Sequence, residues 1–165
     1  MQESASNEDR QKVWDLIKDI KVAMMVTQNA SHELSARPMA AAQTEFDGKL
    51  WFLSRDDTPK LNEIESERNV LLAYSHPSKQ DYVSIAGKAR VVQDREKIKE
   101  LWSEPMRTWF PKGPDDPQIA AIAVDVDSAE FWDAPSSALV YAYGYAKAAL
   151  TGKPPQAGEN KRVTF

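Results

Sequence analysis

Residues Ser35 to Ile64 read SARPMAAAQTEFDGKLWFLSRDDTPKLNEI, and the reading of this stretch decides the fold. An apolar run carrying Arg37 is followed by Asp47-Gly48, by a second apolar run ending at Ser54, and by Thr58-Pro59 with Lys60 behind it. Asp-Gly between two apolar runs predicts a tight antiparallel hairpin, with one strand over about Leu34 to Phe46 and its partner over Leu50 to Ser54. Threonine suits the residue before a helix because its oxygen accepts a bond from an early amide. Proline suits the first helical position because its missing donor is not needed there. A short helix over Thr58 to Ser66 follows. Pro38 has no N–H to give a ladder, so the first strand must lie at an edge or be locally unpaired beside Arg37.

Two cations and two hydroxyls thus converge, and their chemistry points to an anion. The first amides of a helix point outward at the positive end of its dipole, where phosphates bind, and Lys60 adds a full charge. A guanidinium matches phosphate oxygens with two parallel hydrogen bonds, so Arg37 from the strand and Lys60 from the helix form a plausible clamp on one dianion. The same residues also have ligand-free readings. Thr-Pro opens many helices, a lysine in the first turn is commonly solvated, and Arg37 can pair with an acid such as Glu45.

Working outward, Ser6 can cap a helix in which Val13, Leu16, Ile17 and Ile20 recur at helical spacing. KVAMMVTQ, Lys21 to Gln28, reads as a strand buried on both faces. Downstream, Val70 to Tyr74 is a strand, HPSKQ a loop, and Tyr82 to Val92 a long strand with a bend near Gly87. Asp94 starts a helix that Pro105 is expected to stop. RTWFPKGPDDP, Arg107 to Pro117, reads as a loop carrying Trp109 and Phe110. Ile119 to Asp127 alternates as a strand, with Ile122, Val124 and Val126 on one face. Leu139 to Lys147 reads as another, with Tyr141, Tyr143 and Tyr145 on one face. The organisation expected is one domain over residues 6–150 and a flexible tail over 151–165.

The whole chain has 165 residues, 42% of them hydrophobic, which suffices for one core and not for two ordinary domains. A net charge of -4 gives no basic field for nucleic acid. With no cysteine, disulfides, thiolate metal sites and thiol redox chemistry are excluded, so any redox work needs a cofactor. His32 has no second ligand at metal spacing, and no metal is expected. The acidic start MQESASNEDR does not resemble a signal peptide and no apolar run reaches spanning length, so a cytoplasmic protein without membrane contact is expected. Six or seven strands joined by hairpins, with three helices, predict a mainly β, antiparallel sheet that removes its edges by closing into a small barrel.

ARPM on the second strand, WFLSRDDTPKLNEI after the Asp-Gly turn, YVSIAGKARVV on the long strand and SAEFWD near the end together resemble the FMN-binding split barrels of the pyridoxamine 5′-phosphate oxidase family, in particular their general stress protein branch. The order and spacing of these motifs span about Val22 to Tyr145. The resemblance implies a β-barrel with peripheral helices, a six- to seven-stranded antiparallel Greek-key split barrel, acting as a homodimer with flavin at the subunit interface. It implies that Arg37, with the backbone of Pro38 and Met39, lies along the flavin, as do Leu53 and Ser54. Thr58 and Lys60 would bind the FMN phosphate. Phe131-Trp132 matches a pair whose tryptophan approaches the cofactor at the interface, and Tyr82 stands where the family has a glutamine that reaches the flavin from the partner.

The sequence also departs from the vitamin oxidase. There, arginines and a histidine that hold the substrate phosphate follow the tryptophan, whereas Asp133 to Ala142 reads DAPSSALVYA without a basic residue. Desolvating a second phosphate without paired charge costs several kcal/mol, so pyridoxamine phosphate is not the expected substrate. The leading expectation is an FMN-dependent oxidoreductase, with FAD as a possible cofactor and the flavin supplying the chemistry. No residue stands out as acid, base or nucleophile. Trp132 or Trp109 could wall the ring. The alternatives are a non-catalytic flavin carrier or sensor, and a haem-handling barrel whose only imidazoles, His32 and His76, sit in polar loops.

Overall fold

A computed structural model describes residues 5–133, 138–154 and 158–165. Ser6 caps α1 (Asn7–Ile17), its side chain accepting from the Asp9 amide at 3.1 Å. Seven strands form one antiparallel sheet: β1 (Val22–Gln28), β2 (Leu34–Ala40), β3 (Lys49–Arg55), β4 (Asn69–His76), β5 (Asp81–Val92), β6 (Ile119–Asp133) and β7 (Glu159–Thr164). Their order is β2-β1-β4-β5-β6-β3, with β7 paired to the far half of β6. The architecture is mainly β, as the sequence indicates, and the sheet curls until its first and last strands almost meet.

The junction between β2 and β3 differs from the expected hairpin. The Asp47-Gly48 turn is present, with Gly48 at φ +94° and Asp47 accepting from the Lys49 amide. However, β2 ends at Ala40 rather than running to Phe46, and β3 pairs along its whole length with β6. Only a single bridge, Ala41 to Phe52, joins β2 to β3. The cause is Gln43. Its amide donates to the carbonyls of Glu45 and Lys49, and its oxygen accepts from the Trp51 amide, so a side chain takes backbone partners that a ladder would use. The barrel is therefore split rather than closed.

Burial also falls differently from expectation. β1 alternates, with Ala23, Met25 and Thr27 inside and Val22 and Met24 exposed, because no described element covers its outer face. The strands buried on both faces are β3 and the first half of β6. One side meets the barrel interior of Met25, Phe52, Leu72, Ile85 and Ile122. The other meets a second cluster in which Trp51, Leu53 and Ile119 pack on Ile98, Leu101 and Phe110. Those last residues come from α3 (Arg95–Leu101), capped by Asp94, and from the connector behind it. Ile119 to Val124 is accordingly buried at every position and does not alternate. Pro105 does not stop α3, which ends at Leu101. It opens a 3-10 helix, Glu104–Thr108, from which Phe110 turns inward while Trp109 stays 63% exposed.

β5 carries the predicted bend: the register with β6 shifts between Ala86 and Gly87, and a Cβ on Gly87 would collide with the Asp125 carbonyl. The C-terminal part departs most. Ala138–Thr151 is a helix, α4, not a strand, so Tyr143 and Tyr145, two residues apart, do not share a face; both are exposed, and the Tyr141 side chain lies outside the described residues. The end of the chain is not a free tail beyond 151. β7 adds to β6, with Val163 3% exposed in the interior cluster. No described helix is long and apolar enough to cross a membrane.

Candidate functional site

The helix predicted at Thr58-Pro59 is α2 (Pro59–Ser66), with Leu61 and Ile64 anchoring its inner face. Thr58 holds the cap position, yet its hydroxyl does not accept from an early amide. It donates instead to the Arg55 carbonyl at 2.9 Å, leaving the helix without a side-chain cap. The positive end of α2 is thus open to an outside acceptor.

Pro38, Met39, Leu53, Ser54, Thr58 and Lys60, all singled out in the sequence, line one cavity of about 360 Å³. The two edge strands place them there. β2 brings Pro38 and Met39, the last residues of β3 include Leu53 and Ser54, and the segment after Arg55 leads through Thr58 to Lys60 in the first turn of α2. Met106, Trp109 and Phe110 close one side, supplied by the 3-10 connector.

Arg37 stands next to this cavity and is aimed by α2. Its Nη2 donates to Glu63 Oε2 at 3.1 Å and also to the Ser35 hydroxyl, while its Nη1 is buried without a partner. Glu63 is held in turn by the hydroxyl of Thr27, which is 1% exposed on β1. These bonds, Thr27 first and Arg37 after it, hold the Glu63 carboxyl below the usual carboxylate range. The partner of Arg37 is therefore Glu63, not Glu45. Glu63 had escaped the sequence reading, although it lies one helical turn after Lys60, a spacing that puts both on one face.

Lys60 is half-buried and makes no hydrogen bond or ion pair among the described residues. Burial, and then the nearby Arg37 charge, depress its pKa. A buried guanidinium N–H without an acceptor, an unpaired ammonium beside it and an uncapped helix start make a donor set with no acceptor of its own. Buried polar groups are normally satisfied, and charged ones are costly when they are not. The set fits a bound dianion such as a phosphate monoester.

Tyr82 and Trp132 are elsewhere. They face each other across β5 and β6, 43% and 39% exposed, and neither lines the Lys60 cavity of its own chain. Phe131 points the opposite way, into the core. Of the segment Asp133 to Ala142, residues 134–137 lie outside the described residues.

Comparison with known proteins fits this geometry. The family model described as "Pyridoxamine 5'-phosphate oxidase like" matches residues 8–156. General stress protein 26 of Bacillus subtilis is 30% identical over 130 residues, covering 76% of this chain and 89% of that protein. Protein bli-3 of Neurospora crassa is 25% identical over 167 residues, 93% of this chain and 80% of that one. Among solved structures, the general stress FMN/FAD binding protein of Xanthomonas citri has a TM-score of 0.69 at 29% identity, covering 80% of this chain and 93% of its own. A Jannaschia protein provisionally called general stress protein 26 has a TM-score of 0.79 at 25% identity, covering 97% and 100%. A donor-rich corner beside an antiparallel split barrel, and a family match over nearly the whole sequence, lead to one statement: the chain belongs to the pyridoxamine 5′-phosphate oxidase like family.

Proposed function

We propose that this protein binds FMN by its phosphate and serves as a flavin-dependent oxidoreductase that does not oxidise pyridoxamine phosphate. The observation that carries the reading is the pair of neighbouring cations, Lys60 without a partner and Arg37 with an orphaned buried Nη1. The phosphate ester would be held by both side chains and the Lys60 amide, and the ring would extend over Pro38, Met39 and the end of β3. A bound flavin supplies the two-electron chemistry; the protein anchors, orients and keeps water away. FAD could use the same anchorage only if the cavity stays open beyond the phosphate. That such a cofactor is bound by the Xanthomonas citri relative supports the reading.

The working unit in this proposal is a homodimer. On the outward face of the sheet Pro38 lies opposite Met24, which lies opposite Ala73, which lies opposite Ser84. The next row is Ala36, Val26, Leu71 and Ala86. Val22, Met24 and Leu71 are exposed there, and Tyr82 and Trp132 share the face. An apolar sheet face of this kind marks an interaction surface. Val22, Pro38 and Ala40 belong both to it and to the cavity wall, so a second copy on this face would roof the flavin. Two-fold symmetry would let Tyr82 and Trp132 of one copy approach the cavity of the other.

A non-catalytic flavin carrier is the second reading, favoured by the lack of any basic residue from Asp133 to Ala142. Purified protein with the absorbance of oxidised flavin supports both readings. Saturable stopped-flow bleaching by NADH or NADPH supports the oxidoreductase, and slow, unsaturable bleaching the carrier. Turnover of pyridoxamine phosphate would defeat the substrate exclusion.

A further inference from the structure

Beyond the flavin corner lies a second cavity, of about 860 Å³, running along the split where Ala41 bridges Phe52. It shares Val22, Ala40, Met106 and Trp109 with the Lys60 cavity, so the two form adjoining chambers. Four of the chain's five tryptophans, Trp14, Trp51, Trp102 and Trp109, line it. Trp51 belongs to the second core cluster, and Trp14 and Trp102 pack against the two cores. Here Trp109 is 63% exposed, and the other three are turned towards the same open space.

Tyr74 gives the cavity its polarity. It sits on β4, is 3% exposed and lines the chamber, and its hydroxyl has no hydrogen-bond partner among the described residues. The hydroxyl is not among the buried polar atoms that lack a partner, so it opens onto the chamber, where it is free to donate to a ligand acceptor. Burial pushes the phenol up, so it stays protonated and is a donor at every ordinary pH. Asp19, Glu45, Asp47 and Glu100 line the chamber with Lys18, Lys21 and Lys97; Lys97 lies 3.0 Å from Glu100 and 4.0 Å from Asp47, Lys18 lies 2.7 Å from Asp15 outside the lining, and Lys21 makes no ion pair among the described residues. Lys97 also rests on the Trp51 ring at 4.6 Å. Carboxylates outnumber lysines in the lining, which disfavours an anion, and a flat apolar molecule finds stacking surfaces on several sides.

We propose that this chamber is a second binding site, for an uncharged planar aromatic carbonyl compound of the quinone class, stacked on tryptophan and hydrogen-bonded at one oxygen by the Tyr74 hydroxyl. Its use as an electron acceptor rests on the flavin reading above; the binding does not. Tyr74→Phe keeps the ring and its packing while removing the donor.

Calorimetric titration of menadione into the purified protein, with and without FMN, tests the site. The expected result is saturable binding at one equivalent per chain, retained with FMN present, and about tenfold weaker in Tyr74→Phe with FMN affinity unchanged. Absence of saturable binding, equal affinity in Tyr74→Phe, or displacement of menadione by FMN would each overturn the proposal. Menadione binding without any FMN binding would support the chamber and defeat the flavin reading. FMN binding without menadione would do the reverse.

Discussion

Arg37 Nη2 lies 3.1 Å from Glu63 Oε2, which joins the edge strand β2 to the helix α2. Because the carboxylate also takes the bond of buried Thr27, it serves the fold and the site together. Glu63→Ala should cost about 1–3 kcal/mol of stability, the usual penalty for an orphaned buried hydroxyl, and should loosen Arg37 and weaken flavin. Glu63→Gln, which keeps an acceptor, should cost less. Urea denaturation and flavin titration of both variants check this.

The Glu63 carboxyl also sets a pH dependence. Its folded pKa lies below its ordinary value of 4.5, so the folded state favours the ionised form. That stabilisation is fully present above the unfolded pKa and is lost as pH falls through the folded one. Urea midpoints measured from pH 6 down to pH 3 should therefore fall more steeply for wild type than for Glu63→Gln. Parallel curves would refute the assignment.

Lys60 has the opposite economy. Its folded pKa is depressed below 10.5, so at neutral pH the protonated side chain burdens the unliganded fold, and the burden lifts as pH rises through the folded pKa. The group is only half-buried, and solvent screening keeps the effect small. Lys60→Met should raise the Tm of the flavin-free protein by about 2–4 °C at most, equivalent to roughly 1 kcal/mol in a chain of this size, while flavin affinity drops. The Tm difference should shrink as pH approaches 10. Scanning calorimetry across that range tests both the sign and the trend.

Gly87 carries the bend of β5. Any Cβ there meets the Asp125 backbone, which cannot move without breaking the β5–β6 ladder. Gly87→Ala should destabilise by about 1–3 kcal/mol, as overpacking does, with chemical denaturation as the measure.

The apolar sheet face predicts the assembly. Leu71→Asp, at an exposed position on β4, should leave the monomer folded and shift light scattering from dimer to monomer, with loss of flavin that wild type retains. A variant that remains dimeric would move the interface to another face.

Much of this was legible in the sequence because local signals and tertiary need agreed. Thr58-Pro59 started a helix, Gly87 marked the bend, and Pro38 put β2 at an edge. The failures have separate causes. Gln43 replaced a ladder with side-chain bonds, which no periodicity reports. The tyrosines at 141, 143 and 145 mimicked a strand within ALVYAYGYAKAALT, a short apolar run in which the two periods are hard to tell apart. β7 buries only Val163 along ENKRVT and so shows no apolar pattern. Glu63 was hidden because its partners come from β1 and β2, distant in sequence.

The central claim is that Arg37 and Lys60 hold a phosphate. Titrating FMN and riboflavin, which differ only by that group, into wild type and into the Arg37→Ala/Lys60→Ala double variant tests it most directly. Wild type should prefer FMN by more than about a hundredfold, and the double variant should lose about 3 kcal/mol of FMN affinity with little change for riboflavin. Equal binding of the two flavins by wild type, or a preference for FMN that survives in the double variant, would contradict the account.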